Sequence, residues 1–230
     1  MILGANQPYF LPYLGYFQLI NAVDVFLIAD DFQYIRHGWI NRNRILRDGK
    51  IVYLKLPLIH PSQNKPINAH KICGSPQALD RVVEAAYRHA PCFKDVFPIF
   101  REITSYTDDD LAGFLVHSIK LICRYLEIDT QIILNSSRKI ETSLKKQERI
   151  VEMNLQMGAT KYINAIGGRE IYSKERFLQS GIKLEFLQSG LPPYKQMRTQ
   201  EFVPALSILD IMMNVKQEYV KRMLADYQLV

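Results

Sequence analysis

Residues 161–187, KYINAIGGREIYSKERFLQSGIKLEFL, decide the fold. Lys161–Ile166 is a short apolar run of strand type, Arg169–Gln179 carries a helical pattern that stops near Gly181, and Ile182–Leu187 is a second strand. Upstream, Gln131–Leu134 reads as a strand and Lys145–Met157 as a helix stopped by Gly158. Strands alternating with helices in this way imply a parallel sheet with helices on its faces. The amino terminus repeats the pattern as a βαβ unit: strand Ile2–Asn6, helix Tyr13–Ala22, strand Val23–Ala29. Pro8 and Pro12 hold the helix back to about residue 13, after which Tyr13, Tyr16, Phe17 and Ile20 form one stripe.

Between these parts lie two further strands, Trp39–Leu46 and Ile51–Leu58, joined by Asp48-Gly49, a good hairpin signal. Helices are expected at about 76–89, 93–105 and 109–126, the last opening with Asp108-Asp109-Asp110, where carboxylates favour a helix N-terminus. Two more, at about 204–214 and 216–228, finish the chain. The expected architecture is one Rossmann-like α/β domain over residues 1–230, with a mostly parallel sheet and a helical insert at about 76–126.

With 230 residues, 48% hydrophobic and 23% charged, the chain is an ordinary globular one, which excludes disorder, collagen and coiled coil. Three cysteines, Cys73, Cys92 and Cys123, are odd in number and widely spaced; they form no disulfide framework and suit a reducing cytosol. The first residues lack the basic flank and apolar core of a signal peptide. The longest apolar stretch, Tyr13 to Ala29, is interrupted by Gln18, Asn21 and Asp24, so neither a membrane span nor an exported protein is expected. The net charge of +6 permits acidic partners such as nucleotides, phosphorylated sugars and nucleic acid. From Arg36 to Lys50, five basic residues face one acid, Asp48.

In open parallel sheets, ligands sit beyond the carboxyl ends of strands and against helix N-termini. The block Gln7-Pro8-Tyr9-Phe10-Leu11-Pro12-Tyr13-Leu14-Gly15-Tyr16-Phe17 spans such a turn, with an amide, phenols and prolines to line a pocket; the competing account is that its aromatics are core. Asp30-Asp31-Phe32-Gln33-Tyr34 ends the second strand, where a carboxylate can accept a sugar hydroxyl, orient Mg²⁺ or act as a general base. Arg42 and Arg44 alternate along a strand and so share a face, a fork for phosphate, with Asn41 and Asn43 on the opposite face; surface ion pairs are the alternative. Gly167-Gly168 could offer bare N–H groups to an anion, a weak signal by itself. His70-x-x-Cys73 and His89-x-x-Cys92 have a spacing zinc could use, although accidental spacing accounts for them better. The chain has no Walker loop, no G-x-G-x-x-G fingerprint and no G-x-S-x-G elbow.

Taken together, the 7–17 block, Asp30–Tyr34, Asn41-Arg42-Asn43-Arg44-Ile45, Ala90-Pro91, Tyr194-Lys195-Gln196 and Phe202–Asp210 resemble the WbqC-like protein family over nearly the whole chain. The resemblance implies a place in bacterial O-antigen or surface-polysaccharide synthesis, a glycine-transferring role having been proposed for the group, and it adds Tyr194 and Gln196 to the substrate contacts. Two departures stand out: Asn6 where the family usually has His, and Tyr13 where it usually has Trp. A looser likeness, of Tyr13-Leu14-Gly15-Tyr16 to the His-x-Gly-His stretch of nucleotidyltransferases, implies nucleotide binding, with tyrosines replacing both titratable histidines.

The leading expectation is a transferase that acylates, for instance glycylates, an amino sugar on a nucleotide carrier. Asp30 or Asp31 takes the amine proton, Arg42, Asn43 and Arg44 hold phosphates or the developing oxyanion, and Gln7, Tyr9 and Tyr16 orient the sugar, with Pro8, Tyr13, Gly15, Gln33, Tyr34 and Asn41 around them. The acyl donor stays open among an aminoacyl-tRNA, an aminoacyl carrier and an adenylate. No cofactor is called for, whereas Mg²⁺ on Asp30 or Asp31 belongs to a second reading, a nucleotidyltransferase-like enzyme. A third is a nucleotide-sugar binding module without catalysis. Acceptor sugar and oligomeric state are not written in the sequence.

Overall fold

A computed structural model describes residues 1–138, 144 and 146–230. Five parallel strands form the body of one sheet: β1 (Ile2–Asn6), β2 (Val25–Ile28), β5 (Gln131–Leu134), β6 (Lys161–Ala165) and β7 (Lys183–Ser189). A short antiparallel strand, β8 (Tyr227–Leu229), closes one edge, giving the order β5-β2-β1-β6-β7-β8. The mostly parallel α/β sheet flanked by helices is Rossmann-like, as the alternating pattern requires.

Alternation along the strands feeds two cores. Leu3 and Ala5 of β1, with Val25 and Leu27 of β2, pack on one face with Ile150 of α5 (Lys146–Gln156) and Phe177 of α6 (Lys174–Gln179). Phe26 and Ile28 point to the other face, into a larger core with α1 (Leu14–Asn21), α7 (Ile208–Asn214) and the helices that follow the hairpin. Those helices are α2 (Asp80–Tyr87), α3 (Phe93–Thr104) and α4 (Leu111–Leu126). Asp110 caps α4, its Oδ2 accepting the Gly113 N–H at 2.6 Å.

The hairpin pairs β3 (Arg42–Arg47) with β4 (Lys50–Lys55) outside the main sheet. Asp48 and Gly49 both take positive φ, +50° and +73°, the two-residue turn whose twist matches the strands. A side chain at Gly49 would meet the Arg198 carbonyl at 2.3 Å, so the position requires glycine twice over.

Several details differ from the sequence expectation: the helix expected from about 204 begins at Ile208, behind Ser207, and the strand expected to reach Leu58 ends at Lys55. The helix expected over 169–179 is a 3₁₀ turn at Ile166–Glu170 followed by α6, whose start is set by Ser173 accepting the Arg176 N–H. The final helix, α8 (Gln217–Met223), stops early because the chain turns into β8, held by reciprocal backbone bonds between Val230 and Phe186. The strand expected from Trp39 begins at Arg42, after the Ile35–Gly38 turn. Lys145, at the start of an expected helix, lies outside the described residues. No described helix is long and apolar enough to cross a membrane.

Candidate functional site

β1 is the strand at which the chain switches sides: β2 lies to one side of it and β6 to the other. The crevice beyond the carboxyl ends of strands at such a switch is where a ligand fits. A cleft of about 380 Å³ opens there. Asn6 ends β1 and Asn164 lies near the end of β6, and each turns its side-chain oxygen back onto the next backbone N–H, at 2.8 and 2.7 Å. Gln7 and Gly167-Gly168 form the polar rim; Tyr9, Phe32, Tyr162 and Tyr172 supply aromatic wall. Gly168 is small for a reason: a Cβ there would sit 2.8 Å from the Asn164 amide nitrogen.

Among the described residues the lining contains no carboxylate, ammonium, guanidinium, imidazole or thiol. Burial raises the hydroxyls of Tyr9, Tyr162 and Tyr172 above the ordinary phenol value, the last partly offset by a bond from Asn164, so all three stay neutral donors at pH 7. A neutral, mostly apolar cleft with a few carboxamides suits the uncharged part of a ligand that carries some hydroxyls.

Next to it lies a recess of about 130 Å³ formed by Tyr9, Pro12, Tyr13, Trp39, Asn43, Arg44 and Ala205. Tyr9 is common to both. Arg44 lies 5.4 Å over the Trp39 ring and donates to the Ala205 carbonyl at 3.2 Å, while its Nε is buried without a partner among the described residues. A desolvated guanidinium N–H calls for an anionic acceptor.

The other expected site residues fall into three groups. Gln7 lines the cleft and donates to the Gln33 carbonyl at 3.0 Å. Tyr16 lies behind the cleft in the core, its hydroxyl donating to the Gln7 carbonyl at 2.9 Å, and Pro8 is buried in the same turn. Gly15 lets α1 approach Ser189 and the Tyr13 ring, which a Cβ would meet at 2.2 and 2.5 Å.

Asp30 is 2% exposed; its oxygens accept from the Ser136 backbone N–H at 2.9 Å, the Ser136 hydroxyl and the Asn68 amide. Asp31 accepts from Asn135 at 2.8 Å and from Arg149 at 2.6 Å, and that guanidinium stacks 4.2 Å over Phe32 of the cleft. Each acid thus accepts three hydrogen bonds, which leaves roughly one lone-pair site on each for a cation. Among the described residues no three His, Cys, Asp or Glu converge on a metal-sized point. His70 is engaged on both nitrogens, with the Pro66 carbonyl and the Ser62 N–H.

Asn41 and Asn43 are buried braces. Asn41 accepts from Tyr34 at 2.8 Å and donates to Leu56, and Asn43 donates to the Phe10 and Leu11 carbonyls, tying the hairpin to the 7–17 block. Arg42 turns to a separate groove beside Tyr34. Tyr194 and Gln196 meet the fully buried Asp210 instead of the cleft, at 2.7 and 3.2 Å. Asn164 was not singled out from the sequence. Its signal was a polar residue near the end of an otherwise apolar parallel strand, as at Asn6.

The chain is similar to a mycobacterial protein described as "Uncharacterized protein Rv1507c" from Mycobacterium tuberculosis, with 31% identity over 220 residues, 92% of this chain and 93% of the relative. No solved structure matches it. The model of the WbqC-like protein family matches residues 7–222, which takes in the Gln7–Tyr9 rim, the hairpin, Asn164 and the glycine turn. On that extent of match, this chain belongs to the WbqC-like protein family.

Proposed function

We propose that this protein is a cytoplasmic transferase of surface-polysaccharide synthesis that binds a nucleotide-linked amino sugar and acylates its amine, a glycyl group being one candidate. The observation that carries the reading is the shared Tyr9 wall between a neutral carboxamide cleft and a recess with a buried, unpartnered guanidinium N–H. A sugar nucleotide has that division: a neutral hydroxyl-rich part joined to phosphates. The carboxamides of Asn6, Gln7 and Asn164 would read hydroxyls, and Arg44 would take phosphate oxygens. In the reaction the amine nitrogen forms a bond to the acyl carbon, the bond from that carbon to the donor's leaving group breaks, and the proton the amine loses passes to the departing group, directly or through water. Asp31 is the acid coupled to the cleft, through Arg149 stacked on Phe32.

Among the described residues the lining has no titratable group poised near neutral pH, which favours a second reading: binding of the sugar nucleotide without chemistry. Calorimetric titration with uridine and thymidine diphosphate sugars tests binding, and a mass increment on an amino-sugar nucleotide tests turnover. Arg44→Lys keeps the charge but loses the planar fork, so affinity should fall about tenfold, or about 1.4 kcal/mol. Unchanged binding by Arg44→Lys would remove the phosphate role; binding without turnover would select the second reading.

A further inference from the structure

The hairpin and its loops concentrate positive charge. Residues 32–79 hold eight Lys and Arg against the single acid Asp48, more than the net +6 of the whole chain. Pairing places Arg42 directly opposite Lys55, and Arg44 opposite Tyr53 on the next rung of that face. Like charges facing each other across a rung are destabilising. No described carboxylate lies within ion-pair distance of Arg36, Arg42, Arg44 or Lys55; Asp48 itself is paired with Arg198 and Arg47.

Beside the Arg42–Lys55 rung opens a groove of about 520 Å³, walled by Tyr34, Arg36, His37, Arg42 and Lys55 over apolar Pro57 and Leu58. It shares no lining residue with the sheet-edge cleft or the Arg44 recess. The Arg42 side chain is already fixed: its Nε donates to the Gly38 carbonyl at 3.1 Å and its Nη2 to the His37 carbonyl. The guanidinium lies 5.3 Å from the Tyr53 ring centre and 6.0 Å from that of Trp39. Two of its five N–H donors are used, leaving the rest for an acceptor. Arg36 and Arg42 both act on the Tyr34 hydroxyl, lowering a value that burial raises, so their charges converge on this groove.

We propose that this groove is a second anion site, for a phosphorylated ligand, with Arg36, Arg42 and Lys55 taking phosphate oxygens. Several unneutralised cations exceed what a single carboxylate needs and suit a multiply charged phosphate or a run of phosphodiesters. The site stands independently of what the sheet-edge cleft binds.

Trp39, the chain's only tryptophan, lies by Arg42 but lines the Arg44 recess, so its emission reports on both sites and the variants assign the binding. The full chain is titrated with inorganic pyrophosphate, uridine diphosphate and an octauridylate, by calorimetry and Trp39 emission. At least one probe should bind, more weakly on going from about 50 to about 200 mM salt. Lys55→Glu should weaken it at least about tenfold without lowering the thermal midpoint, because the new carboxylate pairs with Arg42. Arg36→Gln, at an exposed position, should also weaken it. Pyrophosphate binding marks a small phosphate ligand, tighter uridine diphosphate a nucleotide, and octauridylate alone a polynucleotide. No binding by any probe, or wild-type affinity in both Lys55→Glu and Arg36→Gln, overturns the proposal. Pyrophosphate binding that survives Arg44→Lys but is weakened by Lys55→Glu would separate this groove from the Arg44 recess, whatever the sheet-edge cleft binds.

Discussion

Asp210→Ala is expected to destabilise the protein by about 3–5 kcal/mol, the range for removing one partner from a buried charged network. Asp210 is fully buried near the start of α7. Its Oδ1 accepts the Tyr87 hydroxyl at 2.7 Å; its Oδ2 accepts the Tyr194 hydroxyl at 2.7 Å and the Gln196 amide at 3.2 Å. Alanine leaves three donors without that acceptor, and the loop from Pro193 to Val203 loses its tether to α2 and α7. Burial raises the Asp210 carboxyl above its ordinary value, against the lowering effect of those hydrogen bonds. A folded value above the unfolded one means that folding takes up a proton. The stabilising contribution of that proton is full below about pH 3.9 and is lost as pH rises through the raised folded value. Urea midpoints across pH should therefore show a wild-type dependence that Asp210→Ala lacks. A cost under about 1 kcal/mol would mean the network is slack.

The second large effect belongs to Asp30. Its carboxylate joins the end of β2 to the turn at Ile67–Ala69, through Asn68, and to the turn at Asn135–Ser137, through Ser136. Asp30→Ala should cost about 2–4 kcal/mol, since bonds to an ionised acceptor are the strong ones and the site is closed to water. Asp30→Asn keeps the shape and should recover part of that loss. A general base would behave differently: midpoints would hold in both variants while turnover vanished. Denaturation and turnover, measured side by side, separate the two roles.

The parallel sheet was legible because its strands are buried apolar runs bounded by Gly, Pro or Asp, and those runs carry their signal locally. β8 was not, because Tyr227-Gln228-Leu229 has no apolar run and owes its conformation to pairing with β7. The 7–17 turn could be placed at the sheet's carboxyl edge from its prolines and strand alone. The partners of its neighbours could not. Asp30 and Asp31 look like free acids in sequence, yet Ser136, Asn135 and Arg149 lie more than a hundred residues downstream. Tyr194 and Gln196 likewise face a buried acid brought in by α7. The alternation that sets Arg42 and Arg44 on one face was readable, but not that Trp39 lies close to both guanidiniums, with Arg44 in the recess and Arg42 in the groove.

The central claim is that the crevice between β1 and β6 holds the neutral part of a sugar nucleotide. Gly168→Ala tests it most directly, because the added methyl would lie 2.8 Å from the Asn164 amide nitrogen and 3.1 Å from the Tyr172 ring, displacing flexible side chains at the cleft and little else. Calorimetric titration of wild type and Gly168→Ala with uridine and thymidine diphosphate sugars should show binding by the wild type. In the variant the affinity should fall at least about tenfold, or about 1.4 kcal/mol, with folding stability within about 1 kcal/mol. No binding by the wild type to any such ligand, or equal affinity in the variant, would contradict it.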